Sequence, residues 1–81
     1  MTTPAKHILN CHRLLCPMPV IRVQDKVAEM SPGEELVAIC TDPGVIHDIP
    51  AWCRINGHHV VSVERQGDEY TVLVRVGEAI S

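Results

Sequence analysis

The stretch from Pro17 to Met30, PMPVIRVQDKVAEM, decides the fold, because it carries the clearest helical pattern in the chain. Its apolar side chains recur at spacings of three and four, which predicts a helix with one buried face. These side chains are Val20, Val23, Val27 and Met30. Charged residues fall on the opposite face, and Ser31-Pro32-Gly33 is a typical helix end. A helix of this kind needs an apolar partner layer.

Four strands and a second helix are predicted around this first helix. The last strand alternates most clearly, with Tyr70, Val72, Val74 and Val76 on one face. Gln66-Gly67-Asp68 before it indicates a hairpin turn. The predicted strands are Lys6–Asn10, Glu35–Cys40, His59–Arg65 and Glu69–Val76, and the second helix runs from about Asp48 to Asn56, with Pro50 in its first turn and Gly57 as its stop.

The resulting order is βαβαββ, which places the chain in the α+β class. A strand, helix and strand in succession favour a parallel pair, whereas the closing hairpin is antiparallel. Because two helices cover only one face of a four-stranded sheet, we expect a two-layer α/β sandwich with a mixed sheet and both helices on one face. We expect a single domain over residues 1–81, with an ordered core at about 6–76.

Composition and charge exclude several classes of protein. The net charge is −3 with histidines neutral, which argues against direct nucleic-acid binding. No apolar run approaches the roughly 20 residues that span a bilayer. The first residues lack the apolar centre of a signal peptide, so a cytoplasmic location and no membrane association are predicted. The four cysteines are then expected to be reduced thiols.

The most informative short motif is Cys16-Pro17-Met18-Pro19. Proline fits the first turn of a helix, so Pro17 and Pro19 predict a rigid helix start with Cys16 at or near the N-cap. A thiol there would face the positive end of the helix dipole and any free amides, which lowers a cysteine pKa. Arg13 and Arg22 are close enough in sequence to add positive charge. Cys16 is therefore the candidate nucleophile, although its position also fits the apolar stripe of a buried cysteine.

The other thiols and the histidines are weaker candidates. Cys11 is either a small loop residue or a second thiol that forms a disulfide with Cys16. Cys40 and Cys53 are predicted to pack in the core. No metal site is predicted, since the possible ligands lack a metal-binding spacing. Those ligands are Cys11, His12, Cys16, His58 and His59.

From Leu9 to Ile21, LNCHRLLCPMPVI, the chain resembles the signature of the TusA/SirA-like sulfur-carrier family, whose hallmark is a Cys-Pro-x-Pro motif opening the first helix. Three later segments resemble the same family in order and spacing: Thr41–Gly44, Asp48–Trp52 and Asn56–His58. The similarity runs from about Ile8 to Val76. Asn10 and Arg13 depart from the pattern, which usually has Asp and Gly there, so the loop before Cys16 is expected to differ in shape.

The resemblance implies a sulfurtransferase that acts as a sulfur carrier without a cofactor. Cys16 would accept a sulfane sulfur as a persulfide and pass it to a partner protein. The implied donors are cysteine desulfurases or rhodanese-like proteins. The implied uses are thiolation of transfer RNA, molybdenum-cofactor synthesis and sulfur-oxidation trafficking. Two alternatives stay open: a thiol redox sensor that uses a Cys11–Cys16 disulfide, and an interaction module in which Cys16 is only structural.

Overall fold

The computed structural model describes residues 6–77, so the predictions that fall on residues 1–5 and 78–81 lie outside the described part. The element order is βαβαββ, as predicted. The strands are β1 (Lys6–Cys11), β2 (Glu35–Cys40), β3 (His59–Gln66) and β4 (Glu69–Arg75), and the helices are α1 (Met18–Val27) and α2 (Val45–Asn56).

The strands form one mixed sheet in the order β1-β2-β4-β3. β1 and β2 are parallel, and their register places Cys11 beside Cys40 at the last position of each strand. β4 is antiparallel to both β2 and β3. The predicted α+β architecture with a mixed four-stranded sheet is therefore confirmed. The parallel pair matters most for function, because its carboxyl ends bring two loops to the same edge of the sheet.

α2 ends at Asn56 before Gly57, as predicted, whereas its start and both ends of α1 differ from the prediction. α1 begins at Met18 and ends at Val27, because the following amides of Glu29 and Met30 bond in tighter turns to Lys26 and Val27. α2 begins at Val45, three positions before the predicted start, with Gly44 as its N-cap. Pro50 consequently lies inside the helix and not in its first turn, which corrects the prediction.

The core lies between the helices and one face of the sheet. Alternate residues of β2 and β4 are buried there, as the period of a strand requires. The buried apolar side chains of these layers are Val23, Val27, Leu36, Ala38, Val45, Ile49, Val72, Val74 and Val76, together with Cys11, Cys40 and Cys53. Full burial of one side chain such as Ile49 contributes roughly 1.5–3 kcal/mol. Packing of both helices on one face is thus confirmed.

The opposite sheet face carries no helix within residues 6–77. Ile8 on β1 is 70% exposed there, and its register neighbour Val37 on β2 is only half-buried. Within the same residues, neither helix has the length and apolar character needed to cross a bilayer.

Candidate functional site

Cys16 lies in the loop between β1 and α1, directly before the N-cap residue Pro17. Its position near the helix start agrees with the sequence prediction. The thiol is exposed, whereas the other three cysteines, all within the described residues, are buried. Cys16 is thus the thiol that another molecule can reach without a rearrangement of the core.

The loop that carries Cys16 is anchored to the segment that follows β2. The backbone N–H of Arg13 donates to Thr41 Oγ1 at 2.8 Å, and the backbone N–H of Cys16 donates to Asp42 Oδ2 at 2.8 Å. The second carboxylate oxygen of Asp42 accepts the Gly44 N–H at 3.1 Å. These contacts arise because the parallel strands end at the same edge of the sheet. They hold the Cys16 backbone in a defined place.

A second aspartate contacts the sulfur itself. The Cys16 Sγ–H donates to Asp48 Oδ2 at 3.2 Å, and Asp48 lies in the first turn of α2. This hydrogen bond raises the pKa of the Cys16 thiol above its ordinary value, helped by partial desolvation and by the charges of Asp48 and Asp42. The sequence prediction of a lowered pKa is therefore wrong, and the structure gives the physical reason.

The start of α1 has few amides to offer the sulfur. Pro17 and Pro19 lack an N–H, and the Met18 N–H is bonded to the Leu15 carbonyl at 2.8 Å. The prolines that fix the helix start also remove donors that would otherwise stabilise a thiolate. Their local role is to fix the start of the helix directly after Cys16.

The two arginines predicted near the thiol have different surroundings. Arg22 acts on Cys11: the neighbouring Cys40 thiol is the main cause that lowers the pKa of the Cys11 thiol, and the Arg22 charge lowers it further. Neither Arg22 nor Arg13 contributes to the pKa shift of Cys16. Arg13 has a φ of 65°, the left-handed conformation that glycine adopts most easily. Arg13 therefore takes up a backbone conformation that glycine favours, and its side chain is exposed to solvent.

Cys11 and Cys40 form a buried thiol pair. Both side chains are inaccessible to solvent, and the two residues are direct neighbours in the β1–β2 register. The neighbouring Cys11 thiol and burial raise the pKa of the Cys40 thiol. The thiol that Cys11 meets is therefore that of Cys40, whereas Cys16 points to Asp48. This pairing was not predicted, although the parallel register of two strands ending in cysteine is a signal that could have revealed it.

The remaining candidates are occupied by structural contacts. Cys53 is buried in α2, as predicted for a packing residue, and burial raises the pKa of its thiol to about 11. His58 Nδ1 accepts the Gly77 N–H at 3.0 Å, and its ring stacks on Trp52 with centroids 5.1 Å apart. Among residues 6–77, no three side chains of the metal-binding types are grouped to hold an ion.

The surface near Cys16 in sequence is rich in apolar side chains. Leu15 is 73% exposed, Met18 39% and Ile21 40%. By contrast, cavities of about 340 and 290 Å³ elsewhere in the molecule are not lined by Cys16. An exposed thiol with apolar neighbours suits contact with a protein surface better than enclosure of a small ligand.

Comparison with known proteins agrees with this geometry. The fold is similar to that of a crystallised SirA-like protein from Desulfitobacterium hafniense, with a TM-score of 0.77 and 19% sequence identity. The match covers 89% of this chain and 99% of that one. At this sequence identity the likeness shows a shared fold. The family model described as sulfurtransferase TusA matches residues 7–76, nearly all of the described residues. The chain therefore belongs to the TusA sulfurtransferase family.

Proposed function

We propose that this protein is a sulfur carrier that holds a sulfane sulfur as a persulfide on Cys16 and passes it to a partner protein. The observation that carries the proposal is the contrast among the thiols: Cys16 is exposed, and Cys11, Cys40 and Cys53 are buried. A relay between proteins requires two sulfur atoms to meet at a surface. Cys16 satisfies this requirement as the fold stands.

The transfer is a thiol–disulfide type of exchange. The Cys16 thiolate attacks the outer sulfur of a donor persulfide, and the donor S–S bond breaks. The donor sulfur leaves with the electron pair as a thiol or thiolate, and the transferred atom is now bonded to Cys16. A partner's thiolate then attacks that outer sulfur and restores Cys16. The step needs no further oxidant, because the transferred sulfur keeps its oxidation state throughout.

Supporting roles follow from the local geometry. Pro17 and Pro19 fix the start of α1, and Arg13 lies in the loop that presents the thiol. Arg22 is an exposed residue of α1 and is available to a docking protein. Leu15, Met18 and Ile21 supply apolar contact area of the kind found in protein interfaces. We propose that one surface around Cys16 serves both the donor and the acceptor.

The pathway is proposed from family membership. A cysteine desulfurase or a rhodanese-like protein is the expected donor, and transfer-RNA thiolation or sulfur-oxidation trafficking is the expected use, with molybdenum-cofactor synthesis as a further one. We propose a single domain that acts in the cytoplasm without a cofactor and without direct nucleic-acid or membrane contact. A Cys11–Cys16 redox switch is less well supported, because Cys11 is fully buried whereas Cys16 is exposed.

Intact-protein mass spectrometry after incubation with inorganic polysulfide tests the proposal. We expect a one-sulfur adduct that dithiothreitol removes, and we expect Cys16→Ser to lose it while keeping its circular dichroism spectrum. Cys53→Ala is the matched control, since it removes a buried thiol and should keep the adduct. An adduct that persists in Cys16→Ser, or one that is lost only in the control, contradicts the assignment.

A further inference from the structure

Two aspartates near Cys16 use their carboxylates differently. Asp42 is engaged by backbone, since its two oxygens accept the N–H groups of Cys16 and Gly44 at 2.8 and 3.1 Å. Asp48 accepts the Cys16 Sγ–H at 3.2 Å, and within residues 6–77 no other donor reaches its carboxylate. Asp42 therefore shapes the loop, whereas Asp48 contacts the atom that would carry sulfur.

The fold places the Asp48 carboxylate at the start of a helix. Asp48 lies in the first turn of α2, where the partial positive charge of a helix N-terminus stabilises a carboxylate. Its backbone N–H is bonded to the Gly44 carbonyl at 3.0 Å, which fixes the residue within that turn. A helix of twelve residues thus places a negative charge against the sulfur.

The charges that act on the Cys16 sulfur are all negative. They come from Asp48 on α2 and Asp42 in the loop after β2, and both raise the pKa of the thiol. From α1, Arg22 acts on Cys11 instead. From the loop before Cys16, Arg13 is exposed, and His12 is paired with Glu69 at 2.9 Å. No cation of these segments offsets the two carboxylates at the sulfur.

The unloaded and loaded forms of Cys16 would interact with Asp48 in opposite ways. A thiol offers its proton to the carboxylate. A persulfide has no proton on its inner sulfur, and its outer sulfur ionises more readily than a thiol, so it brings a negative charge toward Asp48. Two negative charges in close contact repel each other, so Asp48 disfavours the ionised persulfide on Cys16.

We propose that Asp48 holds unloaded Cys16 in its protonated form and thereby shifts the sulfur equilibrium of the carrier toward release. This inference rests on the proposed carrier function. On loading, Cys16–SH and the donor R–S–S⁻ become Cys16–S–S⁻ and R–SH. The donor S–S bond breaks, a new S–S bond forms on Cys16, and the proton moves to the donor sulfur. The Cys16 sulfur is oxidised and the donor sulfur is reduced by the same amount. Release reverses these changes and restores the Asp48 hydrogen bond.

The test compares Asp48→Asn with Glu29→Gln. The first variant keeps the shape of the side chain and removes its charge. The second removes one charge from the exposed turn after α1, where Glu29 pairs with Lys26 at 3.8 Å and is not among the charges that act on Cys16. We expect Asp48→Asn to move the pH profile of Cys16 alkylation by iodoacetamide to lower pH. Its rate at pH 7 should rise about two- to fivefold, the usual size of one charge contact at a surface.

The second readout is the share of Cys16 persulfide at equilibrium with a mixture of glutathione and glutathione persulfide. It should rise by a similar factor in Asp48→Asn and stay unchanged in Glu29→Gln. Asp48→Glu keeps the charge and should return both readouts toward the original protein.

An unchanged alkylation profile in Asp48→Asn, or an equal shift in Glu29→Gln, overturns the proposal. A shifted alkylation profile with an unchanged share of Cys16 persulfide overturns the part of the proposal that concerns sulfur release. Because alkylation requires no sulfur donor, absence of persulfide in every variant would instead count against the carrier function.

Discussion

Cys16 and Cys11 are separated by one short loop, and the fold gives them opposite environments. Cys11 is the last residue of β1, fully buried beside Cys40. Cys16 follows the loop, exposed to solvent and hydrogen-bonded to Asp48. Whether another molecule can reach a thiol therefore depends more on where the buried strand ends than on the residues next to the cysteine.

The largest expected consequence is a difference in alkylation rate. In the folded protein at neutral pH, Cys16 should react with iodoacetamide at least about a thousandfold faster than Cys11, Cys40 or Cys53, because buried thiols react only after the structure opens. Peptide mapping by mass spectrometry measures each site separately. Labelling in concentrated urea, which unfolds the domain, should bring the four rates close together. Comparable native rates at Cys11 and Cys16 would contradict the contrast.

A smaller effect is expected on stability. Cys40→Ser places a hydroxyl in an apolar, fully buried site beside Cys11, so it should lower the free energy of unfolding by about 2 kcal/mol. Cys16→Ser should change that free energy by less than about 0.5 kcal/mol, as is usual for surface substitutions. Urea denaturation followed by circular dichroism measures both. Equal losses in the two variants would remove the distinction between the sites.

The fold could be predicted from the sequence largely because its patterns are local. The period of α1 and the alternation of β4 identify their elements, and Glu35–Cys40 is found as predicted. The start of α2 was missed because Asp42-Pro43-Gly44 fits either a turn or a helix start, and the contact between Val45 N–H and the Asp42 carbonyl decides it. Asp42 is itself held by the Cys16 N–H from the loop after β1, so the choice also depends on a tertiary contact.

The site was predictable only in part. The position of Cys16 near a helix start follows from the proline spacing, but its exposure and its electrostatics do not. The hydrogen bond to Asp48 joins residues 32 positions apart in the sequence, and it depends on how α2 packs beside the loop. The pairing of Cys11 with Cys40 likewise depends on strand register. A helix-dipole argument that ignored these partners gave the wrong direction for the pKa.

The buried thiols also predict how stability depends on pH. Burial raises the pKa of Cys53 from the ordinary value of 9.0 to about 11. The folded state therefore keeps a proton that the unfolded state loses, so this contribution is complete below pH 9 and is lost as pH rises toward 11. At pH 10 the loss should be about 1 kcal/mol relative to pH 7. Denaturation of Cys53→Ala across the same pH range should lack this part of the decrease, and an identical slope would contradict the assignment.

The smallest effect concerns Arg13 in the loop that separates the two thiols. Its φ of 65° costs an L-residue about 1–2 kcal/mol, and glycine avoids that cost but gains freedom in the unfolded chain worth about 0.4–1 kcal/mol. Arg13→Gly should therefore raise the free energy of unfolding by about 0.5 kcal/mol, the balance of these two effects. Arg13→Ala removes the same charge and keeps the strained Cβ, so it should give no gain. Equal gains in both variants would assign the effect to charge, and a loss in Arg13→Gly alone would mean that the arginine side chain itself stabilises the loop that presents Cys16.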